Sequence, residues 1–153
     1  MLSEDKICMK PVGVVRTQAV GKEVRDKNVV SKIVFREDYI EALEGIEEFS
    51  HMFVLFWLHE MSDTDRGIMK VHPRGRSDMP LLGVFATRSP HRPNPIGLTR
   101  VKILKTEQNV VTVQGLDAYD GTPVLDVKPF DSWDTTKDFK VAEWWMKLDK
   151  EHK

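Results

Sequence analysis

Seven apolar or alternating runs lie close together along this chain, and their spacing excludes most folds. They are Ile7–Thr17, Val29–Phe35, His51–Leu58, Leu81–Ala86, Leu98–Lys105, Val111–Leu116 and Val124–Val127. Several are rich in Val and Ile, and Leu98–Lys105 and Val111–Leu116 alternate with period two. Such patterns mark strands. The intervals leave little room for the crossover helices that parallel strands require. The spacing therefore predicts a mainly β, antiparallel barrel or sandwich. Between the second and third runs, Ile40 and Leu43 share one helical face. This predicts a short helix near residues 38–45, with Asp38 as N-cap and Gly45 as C-cap. At the end, Val141, Trp144, Trp145 and Leu148 recur at i, i+3, i+4 and i+7, which predicts a helix at about 138–150.

Composition bounds the rest. A length of 153 residues suggests a single domain able to bury a core. With 41% hydrophobic and 31% charged residues, neither disorder nor a membrane span is expected. The start, MLSEDKICMK, has acids and no apolar h-region, so no signal peptide is expected. Cys8 is the lone cysteine, which excludes an internal disulfide and a cysteine-based zinc site. These features together point to the cytoplasm. A formal net charge of −1 argues against a uniformly basic coat, so contact with a nucleic acid would need a local patch.

The densest polar stretch is FATRSPHRPNPIGLTR, residues 85–100. Pro90, Pro93 and Pro95 fix their own φ and bias Ser89, Arg92 and Asn94 away from helix. The loop is therefore stiff and carries Arg88, Ser89, His91, Arg92 and Asn94, a set of donors suited to binding or catalysis. Two further polar clusters follow strand-like runs: His59-Glu60, and Asp117, Asp120, Gly121, Thr122 and Asp126 around an Asp-Gly turn. The long loop over residues 61–80 carries Arg66, Lys70, His72, Arg74 and Arg76, which suits phosphate contact. Glycine-rich dinucleotide and phosphate fingerprints are absent, as is a serine nucleophile elbow. His51 and His59, eight residues apart, would stand ~26 Å apart on one strand, too far to share a metal. No metal site is expected.

The segments PVGVVRT, GIEEFSHMFVLFWLHE, GVFATRSPHRPNPIGLTRV and LDAYDGTPVLDVKPF occur in order from Pro11 to Phe130. In this the chain resembles the TsaA/TrmO family of S-adenosylmethionine-dependent tRNA methyltransferases. The resemblance implies a single-sheet β-barrel working as a homodimer, with S-adenosylmethionine near the subunit interface. It also implies methylation of the exocyclic nitrogen of threonylcarbamoyladenosine beside the anticodon. By motif, cofactor contacts fall on Thr17, Gln18, Ala19, His59, Glu60, Arg88, Leu98, Asp120, Gly121, Thr122 and Pro123. Arg92 and Asn94 match further fixed positions and join the catalytic set. Asp117, Asp120 and His59 are candidate bases, among which the sequence does not choose. The expected tRNA contacts are Arg66, Lys70, Arg74, Arg76, Arg92 and Lys128.

Two features depart from the bacterial pattern. A His-Gln pair is replaced by His59-Glu60, and the further C-terminal domain of bacterial members gives way to one helix. The short form resembles archaeal members. Two alternatives stay open: a methyltransferase acting on another small substrate, and a tRNA- or nucleotide-binding module without catalysis.

Overall fold

The computed structural model describes residues 6–152. They fall into two compact units. The first runs to His59 and resumes over Ile96–Phe130; the second comprises Glu60–Pro95 and the chain from Asp131 onward.

The first unit is a closed antiparallel barrel of six strands. They are β1 (Gly13–Arg16), β2 (Val30–Phe35), β3 (His51–Trp57), β6 (Ile96–Glu107), β7 (Val110–Gln114) and β8 (Pro123–Pro129). Their order around the barrel is β1-β2-β7-β6-β3-β8. Alternation decides which side chains face inward. Met52, Val54 and Phe56 of β3 are buried, as are Ile33 and Phe35 of β2 and Val111 and Val113 of β7. Together with Val15, Val101, Leu116 and Val124 they form the core. Two register shifts bend the sheet toward closure, one between Leu55 and Phe56 and one between Ile103 and Lys105. Gly97 lies opposite Phe56. A Cβ at Gly97 would stand 2.3 Å from the buried Phe56 ring, so only glycine lets the strands pack there.

The barrel matches the mainly β expectation, but several boundaries differ. The first strand starts at Gly13 instead of Ile7, since Pro11 offers no amide to a ladder. The expected helix at 38–45 is not α-helical. It consists of successive 3₁₀ turns at Glu37–Tyr39 and Glu41–Leu43, with a third at Ile46–Glu48. Asp38 does not cap it, and Gly45, at φ 90°, sits before the third turn. The cause is charge. Glu37, Asp38, Glu41, Glu44, Glu47 and Glu48 repel at i, i+3 and i, i+4 spacing, and within these turns only Leu43 is fully buried.

In the second unit, the expected featureless stretch at 61–80 contains α1 (Asp63–Arg66) and β4 (Lys70–Val71). The capping box of α1 joins Ser62 and Asp65. The run expected as a strand over Leu81–Ala86 is β5 (Leu82–Gly83), paired with β4, followed by a 3₁₀ turn at Val84–Ala86. The C-terminal helix, α2 (Glu143–His152), begins later than 138 and leaves Val141 outside it. Leu148 is its buried anchor at 1% exposure. Arg76 bonds both Asp78 and Glu151 of α2, and the Arg74 guanidinium lies 5.9 Å from the Trp145 ring centre. Among the described residues, no helix is long and apolar enough to cross a membrane.

Candidate functional site

In the first unit, the end of β1 and the Asp-Gly turn are tied together. The Val15 amide donates to the Thr122 carbonyl at 2.9 Å, and the Gly121 amide donates to the Val15 carbonyl at 2.8 Å. The Thr17 amide donates to Asp120 Oδ1 at 3.1 Å, while Arg16 stands 3.8 Å from Oδ2. Thr122, 2% exposed, closes the turn by donating its hydroxyl to the Tyr119 carbonyl at 2.7 Å. Gly121 has φ 82°, which suits glycine. Thr17 Oγ1 accepts the Ala19 amide at 3.2 Å, forming a second small turn. Thr17, Ala19, Asp120, Gly121 and Thr122 are thus brought together. Gln18 is exposed between them, and Pro123 starts β8 opposite Val14. Leu98 is exposed on the outer face of β6, opposite Leu55.

The candidate bases sit in different settings. Asp117 accepts a hydrogen bond from the Thr99 hydroxyl. Asp120 is engaged by an amide and by Arg16. His59, exposed, lies two residues past the end of β3, so His51 and His59 do not share the strand expected for them.

In the second unit, the proline loop is stitched by its own side chains. Arg92 donates to the Thr87 carbonyl at 3.2 Å and to the Ser89 carbonyl at 2.8 Å. Arg66 Nε donates to the Pro93 carbonyl at 2.8 Å. Thr87 Oγ1 accepts the Ser89 amide and donates to the Val84 carbonyl, and Ser89 Oγ accepts the His91 amide. His91 Nε2 stands 3.6 Å from Asp65. The Asp65 carboxyl is held below its ordinary range, first by the Ser62 amide and hydroxyl and then by His91. Arg88, Asn94 and Glu60 are exposed. Arg88 forms no hydrogen bond or ion pair among the described residues.

The expected tRNA-binding residues divide in the same way. Arg66 holds the loop and also lies 3.8 Å from Asp63. Arg76 is held by hydrogen bonds to Asp78 and Glu151, which push its pKa up, and the guanidinium in turn draws both carboxyls below their ordinary values. Arg74 adopts φ 56° and faces Trp145. Lys70 is exposed on β4, and Lys128 pairs with Asp126 at 3.3 Å. Sequence reasoning missed Thr99, Thr87, Arg16 and Asp65. Each acts by touching a residue that was identified, and spacing along the chain carries no signal for that.

Comparison with known proteins places this geometry. The family model described as tRNA-methyltransferase O N-terminal domain matches residues 17–134. A probable S-adenosyl-L-methionine-binding protein of Methanocaldococcus jannaschii is 43% identical over 80% of this chain and 90% of its own length. A mouse tRNA (adenine(37)-N6)-methyltransferase is 41% identical over 78% of this chain and 27% of its own. The crystal structure of TrmO from Pseudomonas aeruginosa superposes with a TM-score of 0.72 at 30% identity. It matches over 91% of this chain, which spans 63% of the solved one. A barrel of the same architecture, with the family match running from Thr17 through the proline loop and the Asp120 turn, settles the assignment: the chain belongs to the tRNA-methyltransferase O N-terminal domain family.

Proposed function

We propose that this protein binds S-adenosylmethionine and methylates the exocyclic nitrogen of threonylcarbamoyladenosine in tRNA, working in the cytoplasm as a homodimer. The observation that carries this reading is that the family match, residues 17–134, contains every residue assigned to the cofactor. The donor set fits the ligand's chemistry. Arg88, exposed on a stiff loop, can pair with a carboxylate. The small turns at Thr17–Ala19 and Asp120–Thr122 can present backbone groups to a purine edge. Leu98 offers apolar surface to a ring, and Glu60 offers a carboxylate to a cation or to ribose hydroxyls. When bound, the cofactor supplies an electrophilic methyl group.

The residues of the chain position the acceptor and take its proton. The threonylcarbamoyl group makes the acceptor N–H more acidic than in adenine, yet a base is still needed. Asp117 suits that role best. The Thr99 hydroxyl orients its carboxylate without neutralising it, whereas Asp120 is committed to Thr17 and Arg16.

The test is turnover with a labelled methyl donor on purified tRNA that carries or lacks the threonylcarbamoyl group. Transfer only to the modified tRNA is expected, with loss of turnover but retained cofactor affinity for Asp117→Asn. Transfer to neither RNA despite cofactor binding would favour another substrate.

A further inference from the structure

The outer face of the barrel carries an ordered grid of which the reading above uses Leu98 alone. Met52, Val54 and Phe56 point inward, so His51, Phe53 and Leu55 of β3 point out. Register then sets rows across three strands. Lys102 of β6 lies opposite His51, whose carbonyl accepts the Phe130 amide at 3.0 Å. In the next row, Arg100 lies opposite Phe53, and Phe53 opposite Lys128 of β8. In the third, Leu98 lies opposite Leu55, and Leu55 opposite Asp126. The aromatic side chains touch. Phe53 and Phe130 meet edge to face at 5.8 Å, His51 and Phe130 at 6.3 Å, and the Arg100 guanidinium lies 4.9 Å from the Phe130 ring centre.

We infer that this face of β3, β6 and β8 holds a single-stranded segment of the RNA substrate, with Arg100, Lys102 and Lys128 on phosphates and the Arg100–Phe130–Phe53 stack against bases. The inference rests on the tRNA reading above. Arg100, Lys102 and Lys128 share these rows with one carboxylate, Asp126, which pairs with Lys128 at 3.3 Å, so two cations are left unbalanced on a chain whose formal net charge is −1. Such a patch attracts a polyanion locally. Aromatic rings and guanidinium planes are the platforms on which unpaired bases stack. A protein partner suits the face less well, because lysine is depleted from protein–protein interfaces. The position also fits. From Lys102 to Leu98, the cofactor-assigned residue, is ~13 Å along one strand at ~3.3 Å per residue. An RNA strand lying over the rows therefore leads toward that residue. In the basic loop Arg66 and Arg76 are engaged within the protein, whereas on this face Lys128 pairs with Asp126 and Arg100 and Lys102 stand in no ion pair among the described residues.

The test is fluorescence anisotropy with a labelled single-stranded RNA of about ten nucleotides, within the site size of sheet-based binders, over a salt series. The triple variant Arg100→Gln, Lys102→Gln, Lys128→Gln should flatten the slope of log affinity against log salt by about two units, at ~0.7 per phosphate. A control with the same charge loss, Lys140→Gln, Lys147→Gln, Lys150→Gln, should keep the wild-type slope. Arg100→Lys should keep the slope and weaken binding severalfold, because the charge remains and the planar stack is lost. Thermal melting of each variant, set beside the wild type, checks the fold. A wild-type slope in the first triple, an equal loss in the control, or no RNA binding by the wild-type protein would overturn the inference. Calorimetric titration with S-adenosylmethionine separates the two claims: absent cofactor binding with an intact RNA response contradicts the enzymatic reading and leaves this surface standing.

Discussion

The proline loop and the Asp120 turn are both tight, polar and held by side chains bonded to backbone, but they are held by opposite charges. In the loop, cations cap carbonyls: Arg92 reaches two and Arg66 reaches a third. In the turn, a carboxylate caps an amide, and the Thr122 hydroxyl closes the other side. Each arrangement uses part of its motif as scaffold and leaves part exposed. The loop leaves Arg88 exposed, and beside the turn Gln18 is exposed. Two arginines four residues apart in one motif therefore have different duties. Arg92 is bonded to two carbonyls of its own loop, whereas Arg88 is exposed and, under the proposal above, is the one that meets the cofactor.

Substitutions can break that division. Arg92→Ala should have the largest effect on stability, roughly 3 kcal/mol by urea unfolding, because two part-buried carbonyls each lose a charge-assisted bond of about 1.5 kcal/mol or more. Arg88→Ala should leave stability within about 0.5 kcal/mol and weaken S-adenosylmethionine by about tenfold or more in calorimetry. If the two variants exchange phenotypes, the division is wrong. In the turn, Gly121→Ala forces φ 82° on a residue with a Cβ and should cost about 1–2 kcal/mol. Asp120→Asn, at an exposed pair, should cost no more than about 1 kcal/mol while loosening the Thr17 turn.

Acid should act most gently and within the second unit. Asp65, Asp78 and Glu151 all have depressed pKa values, so their stabilisation is complete above their unfolded values and fades as pH falls below about 4. The emission of Trp144 and Trp145 on α2 should shift over that range, and an Arg76→Gln variant should lose the part of the shift due to Asp78 and Glu151.

The barrel was legible because alternation and turn residues are local signals. Ile33, Val54 and Val113 announce an inward face whatever their partners are. The segment at 37–48 was not, because its two-residue apolar match outweighed the repulsion of six acids that a propensity reading leaves out. Residues 61–80 hid α1, since a four-residue helix rests on one capping box and not on periodicity. Of the candidate site, the resemblance named Arg88 and Arg92 together. What separates them is which carbonyls a guanidinium can reach, and that depends on the folded loop. The grid on β3, β6 and β8 lay in plain alternation, but its rows join residues such as Phe53 and Lys128 through strand register alone.

The central claim is that the turn and the loop are where S-adenosylmethionine acts. Amide hydrogen exchange with and without the cofactor tests it most directly. The account predicts slowed exchange at Thr17–Ala19 and Asp120–Thr122 in the first unit and at Thr87–Arg92 in the second, with the rest of the barrel unchanged. Saturating cofactor that leaves all three segments at their free rates, or that protects only amides elsewhere, would contradict it.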